Sequence, residues 1–336
     1  MSVSYAIPLD EFEPEQLELH RRELTGYCYR MLGSIFEAED AVQETMIRAW
    51  RGRDGFEGRS SVRTWLHRVA TNVCLDMLRS RSRRALPMGL VPSSRVAEVT
   101  DLGPELADES WVLPVPDGKV LADRGDPAQV AAQRESVRLA FVAALQHLSA
   151  KQRSVLLLRD VLGWSAAETA QLLETTVASV NSALQRARSA LAAQSFGDPI
   201  DQQPSGRIGV RDRERRELLA EFTAAFEAYD MKRLAALLHD DAVQSMPPWA
   251  LWIRGADEII RWMLGPGAEC RDSRTVPVHV NGTVGFAQYH RDPAGGHRAF
   301  GLQVLTIDGD KVREIHSFIL PGLLFPAFGL PLRLES

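Results

Sequence analysis

Residues 152–191 read QRSVLLLRDVLGWSAAETAQLLETTVASVNSALQRARSAL. The spacing of their apolar residues predicts three short helices. Ser165 with Glu168 three positions later forms a capping box, and Thr175 or Thr176 is the expected cap of the last helix. The stretch therefore predicts a helix-turn-helix.

The last of these helices has two unlike faces. Its apolar residues recur at spacings of three and four and predict one buried face: Val177, Val180, Leu184, Ala187 and Leu191. The opposite face carries Ala178, Ser182, Gln185 and Ser189, flanked by Asn181, Arg186 and Arg188. Small and amide side chains bordered by arginines suit a helix in a DNA major groove. An ordinary helical hairpin with a solvated face is the alternative, because this pattern alone is only moderately specific.

A second amphipathic helix is predicted over Ala38–Trp50. Its apolar stripe comprises Val42, Met46, Ala49 and Trp50. Outside that stripe lie Asp40, Gln43, Glu44, Ile47 and Arg48. An isoleucine among charges on an exposed face indicates a surface that a partner covers.

The next helix is strongly basic. It lies within SSVRTWLHRVATNVCLDMLRSRSRR, and its predicted buried stripe comprises Val62, Leu66, Val69, Val73 and Met77. From Arg59 to Arg84 there are seven arginines and one acid, Asp76, in a chain of net charge −5. This imbalance favours a nucleic-acid surface over a merely solvated basic face.

Together and in this order, these segments resemble bacterial sigma-70-type factors of the extracytoplasmic-function group. The resemblance covers residues 15–84, the family's region 2, and residues 134–194, its region 4. It is carried by EDAVQETMIRAW, FEGRSSVRTWLHRVATNVCLDMLR, LSAKQRSVLLLRDVLGWSAAETAQLL and VNSALQRAR. The resemblance implies two all-α domains, the second of them the helix-turn-helix.

The resemblance also implies roles for residues of region 2. The helix containing Asp40, Gln43, Glu44, Ile47 and Arg48 matches one that docks on a coiled coil of the RNA polymerase β′ subunit. Residues 56–79 match the segment that melts the −10 element and holds a flipped base, for which a polar and aromatic pocket is required. The candidates are Ser60, Arg63, Trp65, Asn72, Asp76 and Arg79. Trp65 is equally well spaced to be a core residue.

In region 4, the positions that match the family's −35-reading residues are Asn181, Ser182, Gln185 and Arg186. Many relatives have arginine where this chain has Asn181. Because Asn and Gln favour adenine edges and Arg favours guanine, this departure leaves the target sequence open. Arg188 is expected to contact phosphate or solvent rather than a base.

Length and composition agree with a multidomain protein. The 336 residues predict two or three domains. The three cysteines are too scattered for a disulfide framework or a zinc site, and no cofactor or metal is expected. We find neither a leader pattern nor an apolar run of membrane-spanning length, which predicts a cytoplasmic protein without a membrane partner.

Residues 85–133 are rich in Pro and Gly and contain eight acids against three bases. This composition predicts an acidic, flexible linker between the two sigma domains. A disordered tether is one alternative. The resemblance implies another, in which the segment threads through the basic nucleic-acid channels of the polymerase. A second linker is predicted over residues 195–211.

Residues 212–336 form a third predicted module. A helix over residues 212–229 is followed by two helices flanking a short extended segment. Four strands are then predicted over residues 275–280, 283–290, 298–307 and 311–320, with a hairpin turn at Asp308–Asp310. Helices followed by a meander of strands indicate an α+β arrangement.

This layout, with LAALLHDDAV and RGADEIIRWM, resembles the SnoaL-like polyketide-cyclase group of the nuclear-transport-factor-2 fold. The resemblance implies a cone-shaped sheet around an apolar pocket. The candidate lining residues are Met246, Trp249, Trp252, Trp262, Tyr289, His290, Phe300 and His316. We expect a regulatory or ligand-sensing domain rather than an enzyme, since fold alone does not carry function. The apolar tail, residues 318–332, is expected to pack first on this module.

Three functional hypotheses remain. The leading one is a sigma factor that binds RNA polymerase core through its β′ and β subunits, opens promoter DNA, and is regulated by its own C-terminal domain. The second is a polymerase-independent helix-turn-helix regulator with a sensor domain, which has no need of the residue 40–48 helix. The third is an enzyme fused to a transcription factor. A small molecule is a possible ligand of the third domain, but the sequence leaves open whether the pocket binds one or is filled, and whether an anti-sigma partner exists.

Overall fold

The computed structural model describes residues 14–56, 58, 60–79, 81–99, 101–121, 127–193 and 208–335. The chain divides into two compact units. The first comprises residues 1–84 and 118–199, and the second comprises residues 85–117 and 200–336. The segment that joins the two parts of the first unit therefore belongs to the second.

The described part of the first unit is helical. Ser61 begins the basic helix by accepting a hydrogen bond from the Thr64 backbone N–H. A π-helical turn, Leu157–Val161, follows the eighth helix. The helices up to the end of this unit are α1 Pro14–Glu18, α2 Arg21–Leu32, α3 Ile35–Gly52, α4 Val62–Leu78, α5 Asp117–Val120, α6 Pro127–Ser136, α7 Leu139–Leu145, α8 Ala150–Leu156, α9 Ala166–Leu172 and α10 Val177–Ala192.

Two buried arginines join the parts of this unit that precede and follow the segment 85–117. Arg30 on α2 donates to the Ser136 hydroxyl and carbonyl oxygens at 2.7 and 3.1 Å. Arg153 on α8 donates to the Met31 carbonyl of α2 and to the Leu145 carbonyl. Burial lowers the pKa of each guanidinium to about 10, so both stay protonated at neutral pH. The residues expected to form regions 2 and 4 are therefore in contact.

The helix-turn-helix is present with the expected caps. Ser165 accepts from the Glu168 N–H and Glu168 accepts from the Ser165 N–H, which completes the capping box. Thr176, rather than Thr175, caps α10 by accepting from the Ser179 N–H. Between the helices Glu174 takes a positive φ of 50°, so α10 starts in a new direction.

Several predicted apolar positions differ from expectation. Trp50, near the end of α3, is 39% exposed, and the Arg53 guanidinium lies 3.9 Å from its ring centroid. Val177 is 44% exposed because it lies in the first turn of α10, beyond the helices that cover the rest of its apolar face. On α4, Val69 and Met77 are half-buried, whereas the buried face also includes His67 and Cys74. The reason is that α4 has neighbours on several sides, namely α2, α3, α8 and α9.

The second unit is α+β. One sheet has the order β2-β1-β6-β5-β4-β3, with β7 paired to β5, and only β1 and β6 pair in parallel among the described strands. The hairpin turn after β5 pairs Asp308 with Lys311. The elements are α11 Ile208–Glu227, α12 Met231–Leu237, β1 Leu238–Ser245, β2 Trp252–Arg254, α13 Ala256–Leu264, β3 Arg274–Val280, β4 Thr283–Arg291, β5 His297–Asp308, β6 Lys311–Phe318, α14 Pro321–Ala327 and β7 Arg333–Leu334.

The two faces of this sheet have different neighbours. Helices α11, α12 and α13 contribute to an apolar core with one face, in which Phe222 and Phe226 contact Phe286 of β4. On the other face α14 packs on β5, and Phe325 contacts the Tyr289 ring edge-to-face at 5.1 Å. Much of the apolar tail is therefore covered by its own module.

Residues 85–117, which we call the strap, differ from the predicted flexible linker. The Ser94 N–H donates to the Trp252 carbonyl and the Leu106 N–H donates to the Pro248 carbonyl, both at 2.9 Å. Trp111, Val112 and Val115 are fully buried. The strap has no long helix or strand, so its apolar residues show no period that sequence analysis could detect. Part of the remaining predicted linker is helical, as α6.

Candidate functional site

The polar face of α10 is open to solvent. Asn181, Ser182, Gln185 and Arg186 are exposed, and within the described ranges their side chains have no hydrogen-bond partner. The opposite side of the helix is anchored by Val180, Leu184 and Ala187, which are buried. This arrangement presents free amide, hydroxyl and guanidinium groups on a rigid helix, which is what reading base edges requires.

Arg188 of α10 is held differently. Its guanidinium donates two hydrogen bonds to the Asp160 carboxylate, at 2.7 and 2.9 Å. Asp160 belongs to the π-helical turn after α8, so the pair ties α10 to the first helix of the motif. Because the pair is exposed, solvent screens it and its contribution to stability is small.

The exposed face of α3 combines an apolar centre with charges. Ile47 is 38% exposed, and Asp40, Gln43 and Arg48 are exposed beside it. Glu44 is half-buried and accepts a 2.6 Å hydrogen bond from Arg48. Trp50, three residues after Ile47, extends the apolar centre and was missed because the pattern places it on the buried stripe.

The basic helix α4 brings most of its candidates to the surface. Asn72, Asp76 and Arg79 are exposed. The Asp76 carboxylate lies 3.1 Å from the Arg79 guanidinium and 3.5 Å from that of Arg48. Asp76 therefore links the α3 surface to the α4 surface, although the two were predicted to have separate roles.

The other three candidates lie at the start of α4. Arg63 is exposed and donates to both Glu23 carboxylate oxygens. Burial, the largest single effect, opposes ionisation of Glu23, but the Arg63 hydrogen bond and the nearby positive charges together outweigh it, and the pKa of Glu23 is lowered. Ser60 and Trp65 are half-buried, and Trp65 packs edge-to-face on Phe56 at 5.4 Å. Trp65 is therefore partly a core residue and partly a surface residue.

The second unit contains a cavity of about 220 Å³ between the sheet and its covering helices. Five of the predicted lining residues surround it, Met246, Trp249, Trp262, His290 and Phe300. Phe300 reaches it because a β-bulge in β5 leaves this residue without an opposite partner on β4. The bulge places its ring 3.6 Å from the His290 ring, nearly parallel to it.

Three other predicted lining residues do not border the cavity. Tyr289 points to the opposite face of the sheet from Gln288 and His290, since successive strand residues alternate. His316 alternates in the same way with Ile315 and Ser317. Trp252 instead donates its indole N–H to the Val91 carbonyl of the strap.

His316 belongs to a separate polar cluster. Its Nδ1 lies 2.8 Å from the Ser245 hydroxyl and its Nε2 lies 3.3 Å from the Glu314 carboxylate. The sequence of contacts from Ser245 through His316 to Glu314 resembles the nucleophile, base and acid of a catalytic triad. Ser245 is fully buried and does not border the cavity, so its hydroxyl is closed to a substrate in this structure.

The sequence reasoning missed the polar residues that line the cavity. Gln244, Gln288, Gln303 and Ser317 face it from four neighbouring strands. Gln244 has the same strand parity as Met246, and Gln288 has the same parity as His290, which was the available signal for these two residues. Gln303 and Ser317 differ in parity from Phe300 and His316, the residues predicted on their strands, so no such signal pointed to them. No group of three or more side chains suited to a metal ion occurs in the described ranges. Nor is any helix within those ranges long and apolar enough to cross a membrane.

Comparison with known proteins decides the family. Models of Sigma-70 region 2, Sigma-70 region 4 and the SnoaL-like domain match residues 17–84, 138–191 and 219–315. The ECF RNA polymerase sigma factor SigG of Mycobacterium tuberculosis is 46% identical over 318 residues, which are 94% of this chain and 82% of that protein. The chain belongs to the extracytoplasmic-function RNA polymerase sigma factors.

A second sigma factor of the same organism, SigJ, is 28% identical over 307 residues, 88% of this chain and 87% of that protein. The crystal structure of SigJ matches with a TM-score of 0.59 at 25% identity and covers 95% of this chain and all of that one. The predicted fold classes, two helical sigma domains and an α+β SnoaL-like domain, are confirmed.

The family assignment shows which sigma region contains each surface. The exposed residues of α3 and α4 lie within sigma region 2, and those of α10 lie within region 4. As an extracytoplasmic-function sigma factor, the protein binds RNA polymerase core and promoter DNA and directs transcription initiation. Most of the cavity, by contrast, lies in the SnoaL-like domain that follows region 4.

Proposed function

We propose that this sigma factor reads the −35 element with Asn181, Ser182, Gln185 and Arg186, and binds polymerase core through the α3 surface around Ile47. The observation that supports it most strongly is the α10 face, whose polar groups are exposed and unpaired among the described residues. A polymerase-independent regulator has no use for an exposed apolar centre on α3. The proposed site of action is the cytoplasm, where RNA polymerase works.

In the same proposal, α4 contacts the −10 element through Ser60, Arg63, Trp65, Asn72 and Arg79, and Asp76 orients Arg48 and Arg79. The exposed members are available to DNA, while Ser60 and Trp65 lie at the edge of the core. A base leaving the stack needs an aromatic surface, and Trp65, which is only half-buried, is available to supply one.

The contact between regions 2 and 4 represents a closed state. The −10 and −35 elements are about 25 base pairs apart, roughly 85 Å at 3.4 Å per base pair. In the first unit α4 touches α9, since the Arg68 guanidinium lies 3.4 Å from the Gln171 carbonyl. Helix α10 follows after a short turn and spans only about 24 Å. Regions 2 and 4 must therefore separate before both elements are read.

We further propose that the SnoaL-like domain regulates this separation without catalysing a reaction. The strap joins region 2 to region 4 along the chain and is packed on the domain by main-chain hydrogen bonds. The ionisable residues that line the cavity are Glu269, which is exposed, Cys270, whose thiol pKa is raised by burial, and His290. Among the described contacts no two of them form a hydrogen-bonded acid–base pair. The domain is thus suited to holding and releasing the strap.

In vitro transcription with purified core polymerase tests this proposal. Glu258→Ala removes the carboxylate that accepts a 2.8 Å hydrogen bond from the Val96 N–H of the strap. We expect it, and a truncation after Gln194, to change transcript yield from a cognate promoter. Glu217→Ala, on an exposed ion-paired helical position, is the matched control. Unchanged transcript yield from both Glu258→Ala and the truncated protein would contradict regulation by this domain. If neither the intact protein nor any variant produced a transcript, the sigma assignment would be contradicted.

A further inference from the structure

The cavity of the SnoaL-like domain is large enough for a small organic molecule. Its volume is about 220 Å³. An engineered apolar cavity of about 150 Å³ in another protein accommodates benzene. The present cavity therefore has room for a molecule somewhat larger than a single aromatic ring, such as a bicyclic one.

The polar groups at one side of the cavity form a connected network. Ser317 donates to the Gln303 carbonyl oxygen, and the Gln303 amide donates to the Gln288 carbonyl oxygen at 2.9 Å. The Gln288 amide nitrogen lies 3.1 Å from the Ser273 hydroxyl and 3.0 Å from the His290 ring. These side chains are buried and hydrogen-bond to one another. They therefore form a rigid wall that needs no water to complete its hydrogen bonds.

Gln244 is the exception in this wall. It borders the cavity and is only 8% exposed, yet its side chain has no hydrogen-bond partner among the described residues. Buried amides are almost always paired. The Gln244 carboxamide is reachable from the cavity and makes no hydrogen bond to another described residue, so it is available to a ligand that carries a hydrogen-bonding group.

The charge and shape of the cavity restrict that ligand further. Burial, with the nearby Arg298 charge, lowers the pKa of His290 to about 4, so its ring is neutral at physiological pH. Glu269 lies at the exposed margin. The stacked rings of His290 and Phe300 offer a flat surface, with Met246 and Trp262 among the apolar walls. A neutral, flat and mainly apolar molecule matches these features.

The strap closes the cavity. Leu102 of the strap contributes to the lining and remains 37% exposed. On one side of Leu102 the strap is fixed at Ser94 and Val96, and on the other at Leu106. A residue between two anchored points can swing outward without detaching the whole segment, which is the arrangement of a lid.

We propose that this cavity binds a neutral, flat, mainly apolar small molecule whose carbonyl or hydroxyl group pairs with Gln244, and that Leu102 closes over it. The ligand class deepens the proposed regulatory role of the domain and rests on it for its biological meaning. Binding itself is measured without polymerase, so a failure here leaves the sigma assignment intact.

The test uses the full-length protein and the neutral fluorescent naphthyl ketone Prodan. We expect a saturable, blue-shifted emission that is displaced by neutral acetylnaphthalene. The matched anion, naphthoate, should not displace it, because the described lining residues include no cation to pair with a carboxylate. Absence of saturable binding, or equal displacement by both competitors, would overturn the proposal.

Two variants separate the roles of the wall and the lid. Gln244→Leu should weaken Prodan binding about fivefold, the effect of losing one hydrogen bond. Leu102→Ala lies on the strap surface, so it should fold normally and release Prodan about fivefold faster by stopped flow. Leu264→Ala, an exposed leucine outside the cavity, is the control. Release at the unaltered rate from Leu102→Ala would overturn the lid, even if Gln244→Leu fails to fold.

Discussion

Glutamine serves two opposite purposes in this molecule. On α10, Gln185 is exposed and has no partner among the described residues, whereas Gln288 and Gln303 in the SnoaL-like domain are buried and hydrogen-bonded to each other. A free amide can exchange water for a base edge, while a satisfied one fixes neighbouring strands. The difference separates positions that should affect binding from positions that should affect stability.

Arg153 gives the strongest test on the buried side. Arg153→Met should destabilise the first unit by about 4 kcal/mol, because three carbonyls and the Gln146 amide oxygen lose their donor. Urea unfolding followed by far-ultraviolet circular dichroism measures this. Arg68→Met, whose guanidinium makes one long hydrogen bond, should cost less than about 1 kcal/mol. Equal losses of stability in the two variants would contradict the view that buried guanidinium groups stabilise the fold more than exposed ones.

Ile47 gives the strongest test on the exposed side. Ile47→Asp should weaken binding to polymerase core by about 3 kcal/mol, more than a hundredfold, since it places an unpaired charge in a desolvated contact. The unfolding midpoint should stay unchanged because the side chain is exposed. Titration with labelled core measures the affinity, and Leu264→Asp on α13 serves as control. Full affinity in the Ile47 variant would mean that polymerase uses another surface.

His290 tests the buried network through pH. Its folded pKa of about 4 lies below its ordinary value of 6.5, so the unfolded chain binds more protons between these values. Stability from the neutral ring is complete above pH 6.5 and is lost as pH falls toward 4. A pKa difference of this size corresponds to about 3 kcal/mol, and solvent screening of the partly open site reduces the expected loss of stability to about 2 kcal/mol. His290→Gln should flatten that part of the urea-midpoint profile; parallel profiles would contradict burial of a neutral ring.

Gln185 should show the smallest effect, and only in binding. Gln185→Ala should relax the preference at one −35 base pair by about 1–2 kcal/mol without changing stability. Arg188→Ala is the matched change on the same helix. Because Arg188 is held by Asp160 and is not expected to contact a base, this variant should change the affinity for all DNA sequences by the same amount. A binding-site selection with each variant decides the point. A stability loss in Gln185→Ala would place it with the buried amides.

Local periodicity explains which features could be predicted. The α10 faces and strands β3 to β6 follow spacings within a single segment, so their positions agree closely with the structure. The cavity depends on the register of four strands and on the bulge at Phe300, which no single strand reveals. That is why Tyr289 and His316 were placed on the wrong face, while Gln244 and Gln303 were missed.

The strap was beyond such reasoning for a different reason. Its contacts join residues far apart along the chain, as when the Val115 N–H donates to the Asn281 carboxamide at 2.9 Å. Proline, glycine and acidic residues indicated only that regular elements were absent. Irregular structure with specific tertiary contacts has the same composition as a flexible linker.

The β-bridge between Ala85 and Trp111 shortens the stretch of chain that can extend between region 2 and region 4. It closes residues 85–111 into a loop that contributes almost nothing to the contour between region 2 and region 4. With the strap seated, residues 112–126 can span at most roughly 50 Å at about 3.3 Å each, and α6 adds about 15 Å. Released, residues 85–126 extend to roughly 140 Å, against the roughly 85 Å between promoter elements. In the proposed regulation, a seated strap therefore keeps regions 2 and 4 too close together to reach both promoter elements.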